Sequence, residues 1–411
     1  MSKARNAAML LSSLSIYRGV RENRVFSTFY SLLTALDDDI QSFLEKWGRF
    51  FDTLSKEGCS GRLAYCLSKA AFYDENAFSK AAAEGKADNM NEYEKAAVKR
   101  DIHAIRYACN ITADDILEDY KYSGHLGDCK SALPVWGIGE TVEEFSDEEN
   151  VFERLSGFYR KNGYGIFARY RAFIWRDKSI MPVPFPDKVS FSDLICYKTQ
   201  RNEVIKNTKA FLRGIYSNNV LLYGDRGTGK SSTVKALLNE YYTQGLRMVE
   251  MPKEKLSEFP LLVEKTADIP LKFIIFIDDL SFGNDDKSYA SLKAVLEGGL
   301  AARPDNTLIY ATSNRRHLIK ETFRDRDGDD MHINDTMQET LSLSDRFGLS
   351  VNFGHPDKET YIEIVTGLAD KYSIDYDREK LIADAERWAI GRGGRSPRCA
   401  LQFISSVLGR E

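Results

Sequence analysis

The chain has 411 residues, 43% of them hydrophobic and 29% charged, with a formal net charge of -4. That length predicts two or three domains with real cores, and the charge excludes a globally basic nucleic-acid binder, leaving only local basic patches. No apolar run reaches the roughly 18 residues needed to span a bilayer, and six cysteines with five histidines show no CxxC pair and no zinc spacing.

These features describe a cytoplasmic protein with reduced thiols, no metal cage and no membrane segment. At the start, Lys3 and Arg5 precede the short apolar run Ala7–Leu11, and Arg18, Arg21 and Arg24 follow without a small-residue cleavage site. A surface helix fits this better than a secretory signal. Phe29, Leu32, Leu33, Leu36, Ile40, Phe43 and Leu44 recur at helical spacing and predict helix over 28–56. Further helical stretches fall around 61–72, 91–109 and 113–121, with a polar break at 86–91. Residues 1–190 are expected to form a mostly α-helical N-terminal domain without a chemical motif of its own, a candidate surface for an unidentified protein partner.

Charge is uneven within this half. Residues 101–150 hold 12 acidic and 3 basic residues, whereas 151–190 hold 3 acidic and 8 basic. Arg154, Phe158, Tyr159, Arg160, Lys161, Tyr164, Phe167, Arg169, Tyr170, Arg171, Phe173, Trp175 and Arg176 interleave bases with aromatics. Single-stranded nucleic acid binds to such cationic surfaces with stacking platforms. Core aromatics behind a solvated basic face give the same pattern, and both readings stand. Pro182, Pro184 and Pro186 then enforce an extended segment and mark a boundary.

The chemistry lies beyond residue 190. A helix through Val204, Ile205, Thr208, Phe211 and Leu212 ends at Gly214, preceded by Ile195 and Tyr197, which suit either an adenine ring or the core. The apolar strand Val220–Tyr223 feeds Gly224-Asp225-Arg226-Gly227-Thr228-Gly229-Lys230-Ser231-Ser232 and opens a helix. This is a complete G-x-x-x-x-G-K-[ST] loop in its strand–loop–helix setting. Glycines let successive N–H groups and the helix N-terminus converge on phosphate. Lys230 would reach the β- and γ-phosphates of ATP, and Ser231 would be a Mg²⁺ ligand.

The run Lys272–Ile277 reads as a parallel strand covered on both faces. It ends in Asp278-Asp279, where α/β sheets place ligand sites. Asp278 would hold Mg²⁺, directly or through water, and Asp279 stands where a base or water-orienting group is wanted. The next strand, Thr307–Ala311, ends in Thr312-Ser313-Asn314-Arg315-Arg316, and the Asn314 amide could reach both the γ-phosphate and the attacking water. Residues 324–342 read as an exposed loop in which His332 has no second ligand. Ser342–Gly348 leads to a strand at Leu349–Phe353. The tail reads as helices through Ile362–Tyr372, Leu381–Ala389 and Ala400–Leu408, with Gly391–Arg398 as the turn into the last.

Loop lysine, Asp-Asp, Asn, Arg-Phe and a Gly/Pro turn with arginines, in that order, resemble the AAA+ superfamily of ATPases over about residues 191–411. The wording of Gly224–Ser232, Phe276–Phe282 and Ser342–Leu349 is similar to a bacterial family of AAA+ ATPases of unknown function. The resemblance implies an α/β fold with a five-stranded parallel P-loop sheet (191–355) and a C-terminal helical lid (356–411). It also implies homo-oligomers with ATP between subunits. By the same resemblance Asn314 matches sensor 1, and Arg346 matches the arginine finger that reaches a neighbour's γ-phosphate. Arg398 matches sensor 2, with Arg395 as its rival. Most of the superfamily has Glu at the Asp279 position, so ATP binding is a firmer expectation than fast hydrolysis. The leading expectation is a Mg²⁺-dependent ATPase that couples nucleotide state to a partner. The alternatives are an ATP-gated switch with slow or no turnover, or a nucleic-acid-associated ATPase.

Overall fold

The computed structural model describes residues 2–147, 149–282, 287–297, 304–314, 346–375 and 377–409. The expected loop 324–342 with His332, together with Arg315, Arg316 and Ser342–Asp345, lies outside the described residues. The chain divides into two compact units, Met1–Arg169 and Tyr170–Glu411.

The first unit is helical, with Phe26, Phe29, Phe43, Trp47 and Phe50 at the centre of its core. The helix expected across 28–56 is two helices, Arg24–Leu33 and Ile40–Lys56. Three consecutive aspartates make the break. Asp39 caps the second helix by accepting from the Ser42 N–H at 3.0 Å, while Asp38 takes Lys46 at 2.7 Å and Asp37 takes Arg5 at 2.8 Å. Cys59 and Cys66 form a disulfide with Cα atoms 6.2 Å apart. This corrects the expectation of reduced thiols for that pair: the turn between Lys56 and Leu63 folds Cys59 back onto the next helix.

Burial separates the aromatics of the basic stretch. Tyr159 and Phe167 in the first unit, and Phe173 and Trp175 in the second, are all buried. Tyr159 donates to the Phe72 carbonyl at 3.1 Å and the Trp175 indole N–H to Glu258 at 2.7 Å. These four rings pack inward, whereas Phe158, Tyr164 and Tyr170 of the same stretch are half-buried, and the interleaving follows from an amphipathic helix, Val151–Asn162, and an alternating strand.

The second unit is built on a sheet of seven strands, β1 Ala172–Arg176, β2 Ser179–Pro182, β3 Val220–Gly224, β4 Leu246–Glu250, β5 Lys272–Ile277, β6 Thr307–Ser313 and β7 Leu349–Phe353. Their order is β2-β1-β4-β5-β6-β3-β7, with only the β1–β2 pair antiparallel. β3 to β7 form the expected five-stranded parallel sheet. β1 and β2 extend it to seven, using residues that the sequence reading leaves with the helical region before 190. The hairpin escapes recognition because its turn is Asp177-Lys178, both at positive φ (50° and 57°), with no glycine or asparagine to announce it. Pro182 is tolerated because β2 is an edge strand.

The sheet order fixes the site. β6 lies between the loop strand β3 and the acidic strand β5. Leu221, Ala311 and Ile277 share one row of the register, so one step further along Asp278 leaves β5 opposite Thr312. Every β6 residue is buried, and so is every β5 residue after Lys272, as a strand covered on both faces requires. Three helices, Lys358–Lys371, Arg378–Gly391 and Pro397–Leu408, form the lid around Tyr361, Ile364, Leu381, Ala385 and Phe403. Asp357, Asp377 and Ser396 cap them in turn. Among the described residues no helix is long and apolar enough to cross a membrane.

Candidate nucleotide site

Three glycines shape the loop after β3. Gly224, Gly227 and Gly229 have φ of 126°, 74° and 91°, a region that other residues rarely adopt. Left-handed turns of this kind create the concavity of N–H groups that holds anions. Gly229 is the N-cap of the helix Lys230–Tyr241, whose first N–H groups therefore open on the same loop. A Cβ at Gly224 would stand 2.3 Å from the Phe353 carbonyl oxygen. Gly224→Ala is therefore expected to lower the melting temperature by several degrees and to abolish nucleotide binding, measured by thermal unfolding and ATP titration.

Around the loop the structure gathers most of the residues singled out from the sequence. Lys230 is buried, and its Nζ donates to the Gly224 carbonyl at 2.9 Å, the Asp225 carbonyl at 2.6 Å and Asn314 Oδ1 at 3.4 Å. Burial lowers the pKa of its ammonium, while Asp225, Asp278 and Asp279 pull it back upward. Ser231 donates to Asp278 Oδ1 at 2.7 Å. Asn314 donates through Nδ2 to Asp279 Oδ1 at 2.6 Å. Asp279 itself has φ of 49°, which aspartate tolerates better than most residues.

Gly224 and Asp225 form the base of the loop. Asp225 N–H donates to the Phe353 carbonyl at 3.0 Å, and its carboxylate accepts from the His355 N–H at 2.8 Å. Nothing in the sequence pattern singles out His355. Its ring also meets Asp225 at 3.4 Å and the Arg395 carbonyl at 3.1 Å, joining the loop to the lid turn.

The two rival arginines separate. Arg395 forms a two-pronged ion pair with Glu386 at 3.0 and 2.7 Å within the lid. Arg398 lines the cavity with the loop, and its backbone N–H donates to the Gly227 carbonyl at 3.1 Å. Arg346 stands elsewhere. It is exposed, just ahead of the buried Phe347 and the start of β7, whose far end pairs with Gly224. Five strand residues at about 3.3 Å each separate it from its own loop by more than ~13 Å.

The cavity has a volume of about 710 Å³, within the range of small-molecule sites. Its lining combines polar residues, Gly227–Ser232, Asp278, Asp279, Asn314 and Arg398, with apolar ones, Leu194, Ile195, Tyr197, Ile364, Leu368 and Leu401. Tyr197 also serves the core: its ring lies 5.4 Å from that of Phe353 and its hydroxyl donates to the Gly354 carbonyl at 2.6 Å. Arg201 is a buried cation in the same wall, donating to the Leu194 carbonyl.

The donor set fits a nucleotide triphosphate, since an anion cradle, a buried lysine and apolar lining residues share one cavity. It also fits Mg²⁺. Among the described residues no group of three or more His, Cys, Asp or Glu could hold a metal. Mg²⁺ needs only one or two protein oxygens beside phosphates and water, and Ser231 and Asp278 supply such a pair at 2.7 Å.

The chain is 24% identical over 199 residues to an AAA-ATPase of Arabidopsis thaliana, a match covering 44% of this chain and 36% of the relative. The chain thus spans about a third of the length of that curated relative. Among solved structures, the Thermotoga maritima RuvB Holliday junction branch migration motor is 15% identical, with a TM-score of 0.37, over 53% of this chain and 63% of that one. A point mutant of the same protein is 14% identical with the same TM-score and coverage. The family match, over residues 168–411, takes in more than half of the chain. The chain therefore belongs to the family described as Protein of unknown function (DUF815).

Proposed function

We propose that the chain binds ATP with Mg²⁺ in this cavity and hydrolyses it, working as a homo-oligomer in which Arg346 completes a neighbour's site. The observation that carries the reading is the convergence of Lys230, Ser231, Asp278, Asp279 and Asn314 in one cavity. Gly224–Ser232 would cradle the β- and γ-phosphates, Lys230 would neutralise them, and the apolar lining would take the base. Bound Mg²⁺ would neutralise charge on the transferring oxygens, with Ser231 and Asp278 holding it. Asp279 would accept the proton of the attacking water, and Asn314 would orient that water beside the γ-phosphate. Arg398 would add a lid cation, a role that its place in the cavity wall and the Glu386 pairing of Arg395 both support.

Nucleotide state would reach a protein partner through the lid, since loop and lid share direct backbone contacts. ATP titration in Mg²⁺ buffer is the test: Lys230→Ala is expected to weaken binding by at least about 100-fold, because it removes a charge-assisted contact of roughly 3 kcal/mol. Equal affinity in both proteins would end the reading.

A further inference from the structure

The hydroxyl of Thr312 ties the two acids of the site together. It donates to Asp278 Oδ1 and accepts from the Asp279 backbone N–H at 3.0 Å. The Thr312 carbonyl accepts from the Leu280 N–H at 2.7 Å. One buried residue on β6, 2% exposed, therefore holds the side chain at the head of the Asp278–Leu280 turn and the backbone at its middle and end.

We infer that Thr312 is a positioning residue for the metal-side carboxylate, and this rests on the Mg²⁺–ATP reading above. Three donors, Ser231, Thr312 and the Asp279 N–H, meet on Asp278 Oδ1. With Oδ1 fixed, Oδ2 is the oxygen left for a metal or its bound water. The Thr312 contact matters most among the three because it comes from a rigid, fully buried strand. Ser231 would turn to the metal, and the Asp279 N–H is shared with Thr312 itself. The same hydroxyl steadies the left-handed turn at Asp279, so one group sets both the metal ligand and the residue aimed at the water. Partners of this kind orient metal ligands, and their loss typically costs 10–100-fold in metal affinity or activity.

Valine is isosteric with threonine but places a methyl group against Oδ1 and leaves the Asp279 N–H only its 3.1 Å contact with Asp278 Oδ1. The test titrates ATP into the full chain at graded MgCl₂ and again in EDTA, with thermal unfolding alongside. Thr312→Val is expected to raise the Mg²⁺ concentration needed for tight ATP binding by 10–100-fold, with ATP affinity in EDTA within about twofold of wild type. Thr312→Ser, which keeps the hydroxyl, is expected to match wild type in both. Unchanged Mg²⁺ dependence in Thr312→Val, beside a Mg²⁺-dependent wild type, overturns the role of Thr312 alone. Wild-type binding that is indifferent to Mg²⁺ overturns the nucleotide–metal reading and this inference together. Should Thr312→Val fail to fold, Thr312→Ser decides: wild-type Mg²⁺ dependence supports the hydroxyl's role, and lost dependence in a folded protein overturns it.

Discussion

Arg346→Ala is expected to lower steady-state phosphate release on the order of 10³-fold while leaving ATP affinity within about twofold. In the proposed reaction, transfer of the γ-phosphoryl group would build charge on oxygens that Lys230 and a metal would not fully cover, and an arginine reaching in from outside would supply the rest. Arg346 cannot serve its own chain. It precedes β7, while the loop lies at the other end of that strand. The effect should therefore depend on protein concentration and be rescued in trans. Mixing Arg346→Ala with Lys230→Ala, each inactive alone, pairs an intact loop with an intact arginine and is expected to restore measurable release. A variant that keeps wild-type turnover would show that no neighbour's arginine is used.

Asp279→Asn is expected to stop turnover by on the order of 10²–10⁴-fold and to leave ATP bound. The substitution keeps the shape of the side chain and removes its ability to take a proton. Asn314 now donates to Asp279 Oδ1 at 2.6 Å, a contact that an amide oxygen can still accept, so the site should keep its geometry. Single-turnover chase of bound ATP would measure this directly. A variant that hydrolyses at the wild-type rate would place the base elsewhere. A trapped ATP complex would also be the form in which to capture a partner.

Much of the second unit is legible in the sequence because its signals are local. A glycine-rich loop must follow a strand and open a helix, and a fully apolar run ending in two acids must be a covered strand with its site end exposed. The lid helices were visible in their periodicity. What escaped detection had no such signal. Nothing in Asp177-Lys178 announces a tight turn, so β1 and β2 stayed hidden although Phe173 and Trp175 alternate inward as strand residues should. The Asp37–Asp39 break was overlooked because apolar periodicity carries across it.

Thr312 and His355 illustrate the same limit within the site. A threonine in a strand of Thr, Leu, Ile, Tyr and Ala looks like any β-branched residue, and only the register of β5 against β6 brings its hydroxyl to Asp278. The rivalry of Arg395 and Arg398 turned on Glu386, nine residues before Arg395 and one lid helix away. The interleaved bases and aromatics of 154–176 suited a surface or a core alike, and burial puts Tyr159, Phe167, Phe173 and Trp175 inside. Except for the Arg395 pairing, the decisive contact joins distant parts of the chain.

The most direct test of the account is steady-state phosphate release from ATP in Mg²⁺ buffer by wild-type protein and by Lys230→Ala. Wild-type release is expected to rise more than linearly with protein concentration, as a shared site requires, with background release by Lys230→Ala. Equal, background-level release from both would contradict it.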